Sequence, residues 1–304
     1  MSVSSDPEQQ NAPLFPIGSV LSGLAFFCLM DVAMKSLSIS QGAYNAIFWR
    51  VLLALFLVGI LYFARRPKMP ARPTLKIHLQ RGVIMVFMAF LFFWALVRVP
   101  IAEAVALSFI APIIALYLAA VFLREAIHRN AIFASILGLS GVVVIGWGKM
   151  TGDYTHDELL GFGAVLLSAL LYAANLVIQR SQALLADPIE ISFFQNLVVS
   201  ISYALVAPFS AVVPDVQYVP EFLAAALLSI ISALFMAWGY ARAQAQVLIN
   251  LEYSAFIWAA ILGWAFFSEP VMLPTILGAV LIVAGCILAT RRGRPVAHIE
   301  TTVV

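Results

Sequence analysis

The sequence predicts an all-α membrane protein with ten transmembrane helices, arranged as two inverted five-helix repeats. Three observations support this fold class: ten long apolar stretches, a mean hydropathy of +1.01 with only 11% charged residues, and an internal repeat. A spanning helix needs about 20 mostly apolar residues, and backbone groups in lipid must be hydrogen-bonded within a helix or a closed barrel. Because the stretches are continuously apolar and do not alternate, they favour helices over barrel strands.

The ten predicted spans occupy most of the 304 residues. They are residues 16–38, 44–64, 82–99, 102–123, 130–148, 159–180, 189–212, 222–241, 245–267 and 271–290. The first twelve residues contain no Lys or Arg, so a cleaved secretory signal is not expected. The predicted organisation is an N-terminal cytoplasmic tail (1–15), a first repeat (16–148), an external linker (149–158), a second repeat (159–290) and a C-terminal cytoplasmic tail (291–304).

The distribution of positive charge predicts the orientation of the chain in the membrane. One set of alternating loops carries thirteen basic residues: Arg65, Arg66, Lys68, Arg72, Lys76, Arg81, Arg124, Arg129, Arg180, Arg242, Arg291, Arg292 and Arg294. The other set carries two, Arg98 and Lys149. Short loops rich in Lys and Arg stay in the cytoplasm, so both termini are predicted to be cytoplasmic. The net charge of +2 therefore reflects topology and does not indicate nucleic-acid binding.

The second half of the chain repeats the first at an offset of 144 residues. Residues 98–144 and 242–288 share eleven identities without a gap, among them Arg98 with Arg242 and Glu125 with Glu269. The offset corresponds to five helices, an odd number, so each feature of one repeat reappears on the opposite side of the membrane. Inverted repeats of this kind suit alternating access, in which the two halves exchange conformations.

One block near the end of each repeat resembles a known family. Residues 102–125 contain Ala111-Pro112 and end in Phe122-Leu123-Arg124-Glu125, and residues 247–269 end in Phe266-Phe267-Ser268-Glu269. They resemble the two EamA-type domains of the drug/metabolite transporter superfamily. The resemblance implies a ten-helix carrier in the bacterial inner membrane that exports amino acids or related metabolites. The second block departs from the pattern because Phe256 stands where the first has Pro112.

Small residues and a proline indicate where the helices pack or bend. Gly141 recurs as Gly285 in the second repeat. Gly278 lies seven residues before Gly285 and so on the same helical face, and these small residues predict close helix contacts between repeats or in a dimer. Pro112 lies near the middle of the fourth span, removes a backbone donor and predicts a kink. The freed carbonyl is an alternative contact for a ligand.

Ionisable residues inside the spans are the sharpest functional candidates, because a charge at the centre of a spanning helix is costly. Asp31 and Lys35 have i,i+4 spacing and are predicted to pair, and Lys35 and Arg50 could instead extend towards the interface. Structural pairing and handling of a substrate or proton both remain open for these three residues. Glu252 has no charged residue within one helical turn, which indicates a proton carrier or a partner for a substrate ammonium.

The remaining pathway candidates are uncharged amides, hydroxyls and aromatics. They are Asn45, Trp94, Ser108, Tyr117, Tyr172, Asn175, Gln179, Gln195, Asn196, Trp238, Tyr240, Asn250, Tyr253 and Trp258. Such a lining suits a zwitterion with an apolar side chain better than a sugar phosphate, which calls for clustered Arg and Lys. Aromatics near the ends of spans are alternatively interfacial anchors, and this interpretation is favoured for Tyr117, Trp94 and Trp238.

The sequence shows no catalytic set, metal-ligand spacing or nucleotide-binding motif, so we predict neither an enzyme nor a bound cofactor. Both cysteines lie in apolar spans and are predicted to pack there. The predicted function is export of amino acids, including aromatic or apolar ones, by alternating access. The alternatives are a nucleotide-sugar or drug carrier of the same fold, or a channel. The expected partners are a small-molecule substrate and the lipid bilayer, with the chain as a monomer or homodimer.

Overall fold

A computed structural model describes residues 14–65, 69–122, 129–147, 155–243, 248, 251–269 and 273–290. Over these ranges the chain forms α-helices, joined by short connections and two 3-10 turns. The α-helices are α1 (Leu14–Gln41), α2 (Ala43–Ala64), α3 (Arg72–Leu96), α4 (Ile101–Ser108), α5 (Ile110–Phe122), α6 (Arg129–Trp147), α7 (His156–Ala183), α8 (Pro188–Ala204), α9 (Ala207–Ser210), α10 (Val219–Arg242), α11 (Ala255–Phe267) and α12 (Leu273–Thr290). The 3-10 turns are Val216–Tyr218 and Glu252–Ser254.

Five of the described helices are long and apolar enough to cross a membrane, namely α1, α2, α3, α7 and α10 with its preceding turn. The shorter helices fall within the other predicted spans, and Asn250 lies outside the described residues. Because the connections are short, successive spans run antiparallel. We call the side at which α1 begins the lower side and the side at which it ends the upper side.

Local chemistry determines where several helices begin. Gly42 alone separates α1 from α2, with a φ of 77° that favours glycine. The Thr155 hydroxyl and the Glu158 carboxylate form a reciprocal capping box at the start of α7. At the start of α8 the Asp187 carboxylate accepts hydrogen bonds from two backbone amides, and Pro188 occupies the first helical position. These caps fix the ends of both helices.

The fourth and ninth spans are discontinuous helices, and their interruptions are equivalent in the two repeats. The fourth span divides into α4 and α5 at Phe109, so the predicted single helix over 102–123 is wrong in this detail. The ninth is interrupted by the 3-10 turn Glu252–Ser254. An offset of 144 carries Phe109 to the middle of that turn. Pro112 has no backbone N–H, so the Ser108 carbonyl lacks its helical donor. The equivalent residue of the second repeat, Phe256, has an N–H. The interruption therefore does not depend on a proline.

The packing of the helices follows the repeat. Helix α1 packs against α10, and the equivalent helices α7 and α3 pack against each other. Helix α2 packs against its own counterpart α8, and α6 packs against its counterpart α12. These contacts are those expected for two halves related by a pseudo-two-fold axis in the membrane plane. The chain is therefore an all-α membrane protein of two five-helix repeats.

A tryptophan–arginine pair occurs at the same place in each repeat. The Arg98 guanidinium lies 3.4 Å from the centre of the Trp94 ring and donates to the Trp94 carbonyl. The Arg242 guanidinium lies 4.1 Å from the Trp238 ring and donates to the Trp238 carbonyl. Both tryptophans therefore form cation–π contacts at the ends of spans.

At Gly285 the helices α12 and α6 are in close contact, as the small-residue pattern predicts. A Cβ atom at Gly285 would lie 2.9 Å from the backbone oxygen of Ala134. We expect Gly285→Ala to lower the free energy of unfolding by about 1–3 kcal/mol, because backbone cannot move aside as a side chain can. Thermal unfolding in detergent measures this effect. Gly163→Ala is the control, since its Cβ would meet nothing within 4 Å, and an equal loss there would contradict the explanation.

Candidate functional site

The described residues line a cavity of about 170 Å³ in the middle of the bundle. Its wall combines four charged side chains with amides, hydroxyls, methionines and phenylalanines. The charged and polar members are Asp31, Arg50, Arg81, Ser108, Ser168, Tyr172, Asn175, Gln179, Gln195, Ser229, Ser232 and Glu252. The principal apolar members are Phe27, Met30, Met85, Met88, Phe92, Phe93, Phe109 and Met236. Both helix interruptions contribute to the wall, as in transporters whose discontinuous helices form the substrate site.

Arg81 is held at the lower end of the cavity by three amide side chains of α7. Its Nε donates to Asn175 Oδ1 at 2.9 Å, Nη1 to Gln182 Oε1 at 2.7 Å and Nη2 to Gln179 Oε1 at 2.8 Å. Arg81 is 6% exposed. Amides fix the guanidinium without neutralising it, so a buried positive charge faces the cavity.

The Arg81 cluster continues towards the lower side through His78. Gln182 Nε2 donates to His78 Nδ1 at 2.6 Å, which requires the ring proton on Nε2. His78 Nε2 in turn donates to Glu190 Oε1 at 3.1 Å, and the imidazole stacks on Phe194. The chain of contacts joins α3, α7 and α8 on this side of the cavity.

Glu252 lies in the interruption of the ninth span and carries its carboxylate into the cavity. It is 3% exposed, and its oxygens accept hydrogen bonds from Tyr172 OH at 2.6 Å and Tyr240 OH at 3.2 Å. The two phenols belong to α7 and α10. A carboxyl held by two hydroxyls can exchange a proton or contact a ligand ammonium without breaking an ion pair.

Asp31 and Arg50 form the other charged pair of the wall. Asp31 is 2% exposed, and both its Oδ1 and the Nε of Arg50 are buried without a hydrogen-bond partner. The two groups interact electrostatically, yet no ion pair within 4.0 Å joins them in the part of the chain that the structure describes. Each therefore has hydrogen-bonding capacity available to a ligand.

The predicted Asp31–Lys35 pair is wrong. Lys35 Nζ donates to Glu269 Oε1 at 2.5 Å and to the Val99 carbonyl at 3.2 Å. The second oxygen of Glu269 accepts from the Ile101 backbone amide at 3.0 Å. Lys35 pairs with Glu269 and not with Asp31, because the fold brings Lys35 next to the start of α4 and the end of α11. This cluster lies towards the upper side of the bundle.

The structure brings eight of the predicted pathway residues together around the cavity: Asp31, Arg50, Ser108, Tyr172, Asn175, Gln179, Gln195 and Glu252. Others lie elsewhere. Asn45 Oδ1 accepts from the Val212 amide at the upper side, and Asn196 Nδ2 donates to the Ser192 carbonyl. Tyr117 and Trp258 are exposed on the outside of the bundle.

The structure describes the burial of the three predicted packing glycines but not that of Pro112. Gly141, Gly278 and Gly285 are buried. The backbone of Pro112 belongs to α5, and the side chains of Pro112 and Tyr253 lie outside the described part of the structure.

Arg81 is the main cavity residue that sequence analysis assigned wrongly, as a loop cation. A usable signal was present, since Arg81, Met85, Met88 and Phe92 recur at helical spacing and all line the cavity. The other two methionines of the wall, Met30 and Met236, carry no comparable signal. Among the described residues, no group of three His, Cys, Asp or Glu side chains could hold a metal ion.

Comparison with known proteins places this architecture in a family. Residues 14–147 and 159–291 each match the EamA-like transporter family, and the chain belongs to that family. It is a multi-pass membrane protein whose family and relatives are transporters of small molecules and not enzymes.

Named relatives span nearly the whole chain. A pseudopaline exporter of Pseudomonas aeruginosa is 27% identical over 91% of this chain and 97% of its own length. A riboflavin transporter of Rhizobium johnstonii is 27% identical over 93% of each chain, and an S-adenosylmethionine uptake transporter of Rickettsia felis is 24% identical over 86% and 90%. A solved crystal structure shares the fold, with a TM-score of 0.70 and 20% identity over 90% of this chain and 96% of that chain.

Proposed function

We propose that this protein is a secondary carrier of the bacterial inner membrane that exports an amino acid or a related zwitterionic metabolite by alternating access. The observation that carries the proposal is the Asp31–Arg50 pair: both residues line the cavity, and each has a buried polar atom without a hydrogen-bond partner. Buried charged groups remain stable only when they are paired, and a zwitterion supplies a partner for each. A cavity lined by opposite charges and apolar side chains suits such a substrate.

Polar clusters on both sides of the cavity support a carrier over a channel. The Lys35–Glu269 cluster lies at the upper end, and the Arg81–His78 cluster lies at the lower end. Breaking one cluster at a time exposes the cavity to one side, which is the requirement for alternating access. A continuous pore would need neither.

The distribution of basic residues supports the proposed orientation in the membrane, and the similarity to a relative supports the proposed direction of transport. With Arg81 placed in the cavity, twelve of the thirteen basic residues of the predicted cytoplasmic loops still oppose Arg98 and Lys149. This bias supports a lower side that faces the cytoplasm. Export is supported by the likeness to an exporter that covers 91% of the chain.

Proteoliposomes preloaded with a panel of amino acids and nucleotide sugars test the proposal. We expect saturable amino-acid efflux that accelerates when the same amino acid is present outside. Asp31→Asn is expected to lower the rate at least about tenfold, because it removes a charged partner of the substrate. Asp157→Asn is the control, since Asp157 belongs to an exposed pair with Arg98. Absence of amino-acid efflux refutes the assignment, and flux linear in concentration would indicate a channel.

Glu252 is expected to carry the coupling proton if transport responds to a pH gradient. Glu252→Gln should then remove the acceleration by the gradient, because an amide keeps the phenol contacts but cannot ionise. Efflux with and without an imposed gradient measures this, and Asp157→Asn again serves as control. A gradient response that survives Glu252→Gln excludes Glu252 as the proton carrier.

A further inference from the structure

The four charged groups of the cavity occupy different levels along its axis. The contact between Cys28 Sγ and the Ala255 carbonyl, at 3.6 Å, sets the register of α1 against α11, and both run upwards. Asp31 lies three residues above Cys28, and Glu252 lies three residues below Ala255. The backbone positions of the two acids are therefore separated by about 10 Å along the axis.

Arg50 lies above Asp31. Helices α1 and α2 are antiparallel and meet at Gly42, and Asp31 is eleven residues from this connection while Arg50 is eight residues from it. The difference of three residues places Arg50 about 4 Å nearer the upper side. The electrostatic interaction of Arg50 with Tyr203, in the last turn of the ascending helix α8, agrees with this level.

Arg81 lies below Glu252. Both contact the descending helix α7, Glu252 through Tyr172 and Arg81 through Asn175 and Gln179. The two amides are three and seven residues further along α7, which is about 5–10 Å nearer the lower side. From the upper to the lower side the order of charges is basic, acidic, acidic, basic.

These charges do not neutralise one another through direct ion pairs within the described chain. The hydrogen bonds of Arg81 go to amides and those of Glu252 go to phenols. Asp31 Oδ1 and Arg50 Nε are without partners. Arg81 uses three of its five N–H groups in these bonds and retains two for a ligand. Both ends of the cavity therefore offer donors for an anion, and its middle offers two acceptors for cations.

We propose that the cavity recognises a linear diamino dicarboxylate, a molecule with a carboxylate at each end and an ammonium group next to each carboxylate. The inference rests on the proposed carrier function and specifies its substrate class. The terminal carboxylates bind Arg50 and Arg81, and the ammonium groups bind Asp31 and Glu252. The connecting methylenes pack against apolar wall residues such as Met85 and Phe92. A simple amino acid matches one acid and one base and leaves the other two unmatched.

Competition for exchange in proteoliposomes tests this substrate class with four probes of similar length. These are 2,6-diaminopimelate, 2-aminopimelate (one ammonium fewer), lysine (one carboxylate fewer) and norleucine (one of each fewer). We expect diaminopimelate to compete at least about tenfold more strongly than 2-aminopimelate or lysine, because each lost charged contact weakens binding by about that factor. Ligand-dependent thermal stabilisation of the detergent-solubilised protein provides a second measurement.

Two variants assign the subsites. Arg50→Gln is expected to make diaminopimelate and lysine equal competitors, and Asp31→Asn is expected to make diaminopimelate and 2-aminopimelate equal. Arg98→Gln, on an exposed pair, should leave the order of the probes unchanged. If norleucine is exchanged and diaminopimelate competes no better, the substrate class is overturned and the carrier function stands. If none of the four probes competes, binds or exchanges but another amino acid of the panel is exchanged, the substrate class alone is overturned, and if no amino acid is exchanged, both proposals fail.

Discussion

Arg81→Met is expected to abolish exchange and to lower the free energy of unfolding by about 3 kcal/mol or more. The substitution leaves Asn175 Oδ1, Gln179 Oε1 and Gln182 Oε1 buried without their donor, at about 1–3 kcal/mol each. The midpoint of thermal unfolding should fall by about 6 °C or more. Thermal unfolding in detergent and exchange in proteoliposomes measure the two effects.

Two further variants separate charge from hydrogen bonding at Arg81. Arg81→Lys is expected to be intermediate, because lysine restores the charge but lacks the fork that reaches three acceptors. Arg242→Met is the control, since the exposed Arg242 contacts only Trp238 and its carbonyl in the described structure. Wild-type stability and exchange in Arg81→Met would show that the cluster has neither role.

Disruption of the Lys35–Glu269 pair is expected to open the upper side and destabilise the protein. The two side chains are 8% and 15% exposed, so Lys35→Met or Glu269→Gln leaves one charge buried without its partner. Removal of one partner from a buried ion pair costs about 3–5 kcal/mol. The double variant Lys35→Met/Glu269→Gln should recover most of this stability, because neither charge remains. Thermal unfolding of the four proteins completes the cycle.

Thiol labelling measures the opening directly. In a background without Cys28 and Cys286, a Ser108→Cys substitution places one thiol in the cavity wall. We expect a membrane-impermeant reagent applied to the upper side to label it faster when either Lys35 or Glu269 is replaced. Asp157→Asn, which breaks an exposed pair on the same side, should leave the rate unchanged. Equal labelling in all variants would rule out a closure by this pair.

The fold was largely predictable because the membrane imposes simple rules. Length and hydropathy locate the spans, and the 144-residue offset predicts which helices are equivalent. The interruption at Phe109 was less accessible, because Pro112 indicates a bend but not the residue at which the helix divides. The equivalent interruption at Glu252–Ser254 has no proline and no comparable local signal.

The site was predictable where a residue type is costly in lipid, as at Asp31, Arg50 and Glu252. It was not predictable where the partner lies far away in sequence. Lys35 has a suitable acid four residues away, yet it pairs with Glu269 across 234 positions. The basic residues that precede Arg81 favour a loop, whereas α3 begins at Arg72 and carries Arg81 into the bundle. Helical spacing relates Arg81 to Met85, Met88 and Phe92, but its amide partners on α7 follow only from the packing of α3 against α7.

The methionines of the cavity wall have a consequence for the range of cargo. Met30, Met85, Met88 and Met236 contribute unbranched thioether side chains from three different helices. Such side chains change rotamer at little cost and refill space around ligands of different outline. In the proposed binding mode, the charged side chains select the ammonium and carboxylate groups of the ligand, while the methionine side chains tolerate variation in its carbon skeleton. Oxidation of these methionines by peroxide would narrow the range of ligands that fit, since the sulfoxides are polar and bulkier.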